Sequence, residues 1–153
     1  MRTQLDQWLQ LPGEERWLLA GLVVLLPAIG IALCLFGVRR TYRLLGGSGR
    51  PAPLSAESSE DSSTSAKRLG RLVSIASRRG PYMATCLPQS IALRWLLCRR
   101  GMPAEVRIGV RKEHERIHAH AWVELAGQVI NDHSAVEAEY AVYREFATRL
   151  VRH

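Results

Sequence analysis

Cysteine is scarce in this chain, with three in 153 residues. The number is odd, no two stand in C-x-x-C spacing, and Cys34 lies inside an apolar run while Cys98 falls on the apolar face of a helix. A disulfide framework and a cysteine zinc cluster are both disfavoured, and a reducing, cytosolic setting fits best. Cys86 is left to be explained. Acidic residues are also short, 14 against 21 Lys and Arg, and the excess falls wholly on residues 67–153. Nucleic acid, an anionic membrane surface or an acidic peptide can answer such a charge. The basic residues stand singly or in pairs, with no aromatic-interleaved stripe and no nucleic-acid motif, which argues against the first. A secretory signal is missing too. Little positive charge precedes the apolar run, and no small-residue cleavage site follows it.

What is present divides into three parts. Residues 1–45 are dominated by the charge-free run 17–38, long enough to cross the roughly 30 Å hydrocarbon core of a bilayer. Arg39, Arg40 and Arg43 follow it, so a spanning segment keeps the rest of the chain in the cytoplasm. Pro27 and Gly30 interrupt the run, and burial against the chain's own domain or a partner is the alternative. Residues 46–66, rich in Gly, Ser and Pro, bury too little apolar surface to offset their ordering entropy and read as a flexible linker. Residues 67–153 read as a small domain, able to fold alone with a modest margin.

Within that domain, Ser65 caps a predicted helix with Leu69, Leu72, Val73 and Ala76 on one face. A second begins behind Thr85, with Pro88 in its first turn and Leu87, Ile91, Trp95 and Cys98 as the buried stripe. Gly101 and Pro103 stop it. Val106, Ile108 and Val110 alternate with Glu105, Arg107 and Gly109, as in a half-buried strand. In the next strand Ile117, Ala119, Ala121, Val123 and Leu125 share one face. His118, His120, Trp122 and Glu124 share the other. A third strand ends at Asp132. Ser134 and Glu137 form an S-x-x-E capping box, opening a closing helix with Val136, Tyr140, Tyr143, Ala147 and Leu150 on one side. The arrangement is α+β, helices packed on a small antiparallel sheet behind an apolar helical N-terminal region.

Cys86, His120 and Asp132 then fall where a papain-like or transglutaminase-like thiol site needs them. A cysteine attacks as the thiolate. In the first turn of a helix the macrodipole and the unpaired N–H groups favour that negative charge, and the same groups can stabilise an oxyanion. His120 supplies the base and Asp132 orients it, provided both leave the same face of the sheet. That condition sets the turn. Both numbers are even, so a three-residue turn of Ala126, Gly127 and Gln128 is expected, with Leu125 opposite Val129 and Asp132 diagonal to His120. A two-residue turn sends Asp132 to the wrong face.

Plainer readings exist for each residue. Cys86 can be a small core residue, His120 structural, and Asp132 a helix cap. His114, His118, His120 and His133 raise a metal reading as well, since H-x-H on a strand puts both rings on one face. Trp122 and Glu124 read as wall and solvent-face residues. Gln89 and Ser90 lie near Cys86 without an assignable role.

Three stretches carry a family resemblance: A-T-C-L-P-Q-S-I-A-L-R-W-L-L, R-R-G-M-P-A-E-V-R-I-G-V, and A-H-A-W-V-E with its downstream Asp. The chain resembles, over about residues 67–133, the transglutaminase-like leader peptidases of lasso-peptide biosynthesis, the bacterial maturation B proteins. The resemblance implies a cysteine peptidase that removes the leader from a ribosomally made precursor peptide, with Cys86 as nucleophile, His120 as base and acid, and Asp132 as orienting residue. It implies no cofactor and no metal. With few residues before the apolar segment, it implies the stand-alone form, in which a separate leader-recognition protein delivers the precursor and an asparagine-synthetase-like cyclase closes the ring. Location is then cytoplasmic, with membrane contact through 17–38 in view. The rivals are a thiol acyltransferase of transglutaminase type and a non-catalytic, membrane-tethered adaptor.

Overall fold

The computed structural model describes residues 13–45, 59–79, 84–114 and 116–142. Helix α1, Gly13–Leu44, takes up the apolar run and carries Pro27 within it. It breaks at Gly37, whose φ of 74° lies where L side chains are strained. The Thr41 hydroxyl donates to the carbonyl freed there, 2.9 Å away. Leu19, Leu22, Leu26 and Ile29 are fully buried along one face of α1. Glu15 pairs with Arg68 of the following helix.

Helix α2, Ser59–Arg79, buries Ala66, Leu69, Leu72, Val73 and Ala76, which contains the expected stripe. Its start differs from expectation. Residues 59–66, read as linker, are helical, and Ser65 is no cap. The stripe extends back to Ala66, and the Ser63 hydroxyl donates to the Gln128 side chain at 2.8 Å, so tertiary contacts order a turn whose composition is that of a linker. The remainder of the expected linker lies outside the described residues.

Helix α3, Cys86–Arg99, is central, packed on α1 and α2 and on the sheet. Its burial is correspondingly broad. Ser90 to Leu93, Leu96 and Leu97 are buried, whereas Leu87, Trp95 and Cys98 of the expected stripe are only half-buried. Thr85 stands at the N-cap in extended backbone, yet its hydroxyl makes no capping bond. At the other end Gly101, at φ 75°, donates to the Cys98 carbonyl and Met102 to that of Leu97. That paired closure needs a left-handed residue and ends the helix cleanly.

The sheet is antiparallel in the order β3-β2-β1-β4. β1, Ala104–Glu113, pairs with β2, Arg116–Leu125, from Ala104 opposite Leu125 to Glu113 opposite Arg116. β3 is short, Gln128–Val129, with Leu125 opposite Gln128 and Glu124 opposite Val129. The expected three-residue turn is therefore overturned. Ala126 and Gly127 alone form it, at φ 49° and 78°, and two positive-φ residues match the twist of the flanking strands. The closing helix is overturned in part. Helix α4 is only Val136–Glu139, its N-cap is Ala135, and no side chain caps it, so Ser134 and Glu137 form no capping box. Tyr140 is extended, and β4, Ala141–Val142, pairs with Gly109 and Val110 of β1. An open strand edge has taken the backbone bonds that a helix would have kept. Tyr143, Ala147 and Leu150 lie outside the described residues.

One core joins the apolar residues of α1, α2 and α3 to Val106, Val123 and Leu125 of the sheet. α1 is thus part of the folded unit. Leu22→Ala is expected to lower stability by about 2–5 kcal/mol through lost burial and the cavity left behind, read as a shifted urea midpoint at unchanged slope. An unchanged midpoint would show α1 to be dispensable for the fold.

Candidate active site

His120 lies on β2 opposite Gly109 of β1. Its ring stands 6.2 Å from that of Trp122, nearly parallel, and 5.4 Å from that of Tyr140. Gly109 makes this wall possible. A Cβ there would meet the Tyr140 Cβ at 2.6 Å and the Trp122 ring at 3.0 Å. Trp122 is fully buried and donates Nε1–H to Glu124 at 2.8 Å. Arg107, its cross-strand neighbour, donates Nε–H to the other oxygen of Glu124, also at 2.8 Å. Glu124 is accordingly a buried anchor for the aromatic wall and not a solvent-face residue. Burial pushes its carboxyl upward, but hydrogen bonding with Glu137, Arg107 and Trp122 outweighs this and holds it below the ordinary value.

Asp132 reaches His120 by a route that strand parity does not anticipate. After a two-residue turn, a continued ladder would set Asp132 opposite Ala121, on the wrong face. The ladder does not continue. The Ile130 amide still donates to the Val123 carbonyl at 2.9 Å. The Val123 amide, however, donates to the Asn131 side-chain oxygen at 2.7 Å in place of a backbone carbonyl. The chain then bends through residues 130–132 and the Ile130 carbonyl turns toward Gly70 of α2, where an added Cβ would stand 3.1 Å from it. That bend brings Asp132 Oδ2 into a hydrogen bond with His120 Nε2.

The second oxygen of Asp132 is equally occupied. It accepts the His133 amide at 2.8 Å and contacts His133 Nδ1 at 2.7 Å. His133 Nε2 lies 2.9 Å from Glu139, whose other oxygen accepts Arg111 Nη1–H at 3.4 Å. Arg111 in turn stands over the Tyr140 ring. With a carboxylate at each ring nitrogen, His133 can donate from both only as the imidazolium. Bonds to Glu139 and Asp132 raise it above the ordinary histidine value. Burial pushes the Asp132 carboxyl up, but bonds from His120 and from the amide and ring of His133 carry it below the usual range. A continuous chain of charge runs from Arg111 through Glu139 and His133 to Asp132, the carboxylate that His120 meets.

Cys86 is the first residue of α3 and is half-buried. The helix is tied to β2 one turn later, where the Ser90 hydroxyl donates to the Ala121 carbonyl at 3.0 Å and accepts from Asn131 Nδ2 at 3.3 Å. Residues four apart share a helix face, so Cys86 stands one turn beyond the contact with the residue following His120. Gln89 Nε2 donates to the Ala84 carbonyl at 2.7 Å and fixes the approach to the helix. Hydrogen bonding thus joins His120 to Asp132, and Cys86 makes no bond to either among the described residues. Nor do three His, Cys, Asp or Glu side chains gather to hold a metal ion among those residues. Ser90, Asn131, His133, Glu139 and Tyr140 complete the arrangement. Of these, the crowding of N-D-H at 131–133 was the visible signal.

The pH dependence follows in sign. The Asp132 contribution to stability is present above the ordinary carboxylate value of about 3.9 and is lost as pH falls through its lowered folded value. That of His133 is present below about 6.5 and is lost as pH rises through its raised folded value. In His133→Ala the Asp132 carboxyl is expected to titrate closer to the ordinary value, read by carbon NMR of the carboxyl. An unmoved titration would show the His133 bonds to be idle.

The family model described as the transglutaminase-like superfamily matches residues 32–145, a span that includes Cys86, His120 and Asp132. The microcin J25-processing protein McjB of Escherichia coli is 38% identical over 64 residues, which is 42% of this chain. Those residues make up 30% of the length of that relative. No solved structure matches the chain. The resemblance to transglutaminase-like maturation proteins of lasso-peptide biosynthesis is borne out by the two matches. With helices on a small antiparallel sheet and most of its length inside the match, the chain belongs to the transglutaminase-like superfamily.

Proposed function

We propose that the chain is a cysteine peptidase that removes the leader from a ribosomally made precursor peptide in lasso-peptide maturation. The observation that carries this reading is the His120–Asp132 hydrogen bond beside a helix opened by Cys86. The kinship with a microcin-processing protein supports a peptide precursor as the substrate class. Because Asp132 holds Nε2 of His120, Nδ1 is the nitrogen left to take the thiol proton. The Cys86 sulfur attacks the carbonyl at the leader junction, and negative charge develops on its oxygen.

The first turn of α3 has two amides to meet that oxygen. Pro88 has none, and the Gln89 amide is bonded to the Thr85 carbonyl at 3.4 Å. Those of Cys86 and Leu87 remain as oxyanion donors. Collapse of the intermediate sends the proton from His120 to the departing amine, leaving a thioester on Cys86. Water, deprotonated by the same imidazole, releases the leader and frees the thiol. A separate leader-recognition protein delivers the precursor, and an asparagine-synthetase-like cyclase consumes the product.

The test is a reconstituted cleavage reaction with precursor and recognition protein, read by product masses. Cys86→Ala is expected to abolish cleavage. Asp132→Asn is expected to lower kcat by about 10²- to 10⁴-fold with little change in KM, since the imidazole loses its orientation and charge partner. Full cleavage by Cys86→Ala would overturn the enzyme reading. An added amine that replaces water in the product would make the reaction acyl transfer.

A further inference from the structure

α1 has two apolar faces, and the fold uses only one. Leu19, Leu22, Leu26 and Ile29 are buried against α2 and α3. On the opposite side Trp17 is 82% exposed, Val24 71%, Ile31 60% and Leu35 71%. These stand at heptad-like spacing, with the small residues Ala20 and Ala28, also exposed, between them. The result is a continuous ridge about 27 Å long, uninterrupted by charge. Arginine pairs flank it at both ends. Near Trp17 the ridge borders a groove lined by Leu18, Leu25, Trp95, Arg99 and Arg100, with Arg99 stacked on the Trp95 ring. At the other end Arg40 and Arg43 line a shallow depression with Phe36 and Leu44.

Three occupants are conceivable, and charge selects among them. By length and composition α1 is able to cross a bilayer. Crossing while packed as seen, however, would carry α2 and α3, which pack along the buried face of α1, into hydrocarbon together with exposed charges such as Lys67, Arg71 and Arg78. A second copy seated on the ridge sets arginine pairs against arginine pairs, whether the two helices run parallel or antiparallel. An anionic lipid surface satisfies both features together, taking the ridge among acyl chains and the arginines among phosphates.

We infer that α1 lies in the plane of an anionic membrane surface, with the ridge of Trp17, Val24, Ile31 and Leu35 inserted and Arg40, Arg43, Arg99 and Arg100 at headgroup level. The inference does not depend on the reaction the domain catalyses. Cys86 and Arg99 lie at opposite ends of α3, about 20 Å apart along its axis, so the candidate active site is set back from the lipid-facing arginines.

Flotation of the full chain with vesicles tests it. Binding to an equimolar mixture of phosphatidylglycerol and phosphatidylcholine is expected, weakening in high salt, with much less on phosphatidylcholine alone. Val24→Glu combined with Ile31→Glu is expected to cut binding by about tenfold or more at unchanged helical circular dichroism. Both positions face outward, and Arg99→Glu with Arg100→Glu supplies a second variant that leaves the ridge intact and should weaken the preference for anionic vesicles, Arg40 and Arg43 retaining part of it. Absence of flotation, or flotation indifferent to both variants, would overturn the inference. So would a stable dimer by light scattering that Val24→Glu with Ile31→Glu dissociates, or resistance to alkaline carbonate extraction, which marks a spanning helix.

Discussion

The Asn131 side chain is the point on which the geometry of the site depends. By accepting the Val123 amide and donating to Ser90, it does two things that a longer third strand could not do together. It satisfies a backbone donor that would otherwise be stranded where pairing stops, and it ties the strand end to the helix that Cys86 opens. The backbone is then free to bend, and the bend delivers Asp132 to His120. Gly70 admits the displaced Ile130 carbonyl from behind. A side-chain amide in place of a ladder carbonyl thus converts a register that would hold Asp132 away from His120 into one that joins them.

Around that joint the polar groups form two separate systems. Buried Trp122 and Glu124, with half-buried Arg107, form a set that holds the aromatic wall against Gly109. Asp132, His133, Glu139 and Arg111 form a more exposed chain of alternating charge along the rim. His120 touches both, through its stacking on Trp122 and its bond to Asp132. Each system constrains a different degree of freedom of the ring, one its plane and the other its rotation within that plane.

Elements with a clear period were legible from residues alone. The alternation of β1 and β2, the stripe of α2 and the glycine stop of α3 are local patterns, and the structure keeps them. Misreadings arose where a distant partner decides. Residues 59–66 have linker composition but gain a helix from Ala66 burial and the Ser63–Gln128 bond. The segment after Ser134 has a helical signature, yet the free edge of β1 at Gly109 and Val110 draws it into a strand. Parity named the right partner for His120 from a wrong turn length, because counting residues cannot detect that a side chain will end the ladder. For α1 the sequence posed membrane or protein as alternatives. The structure shows a helix with one apolar face packed and the other exposed, an outcome that a linear hydropathy reading cannot resolve.

The double use of Ser90 has a consequence for folding. Its hydroxyl holds the helix that Cys86 opens against β2, through the Ala121 carbonyl, and supports the bend that carries Asp132, through Asn131. Both are contacts of long sequence separation, and so is the seat of the Ile130 carbonyl against Gly70 of α2. Loop closure has to be met before such contacts return anything. In the proposed mechanism one docking of α3 therefore brings up the thiol and steadies the carboxylate that orients the imidazole, and a domain with α3 undocked lacks both.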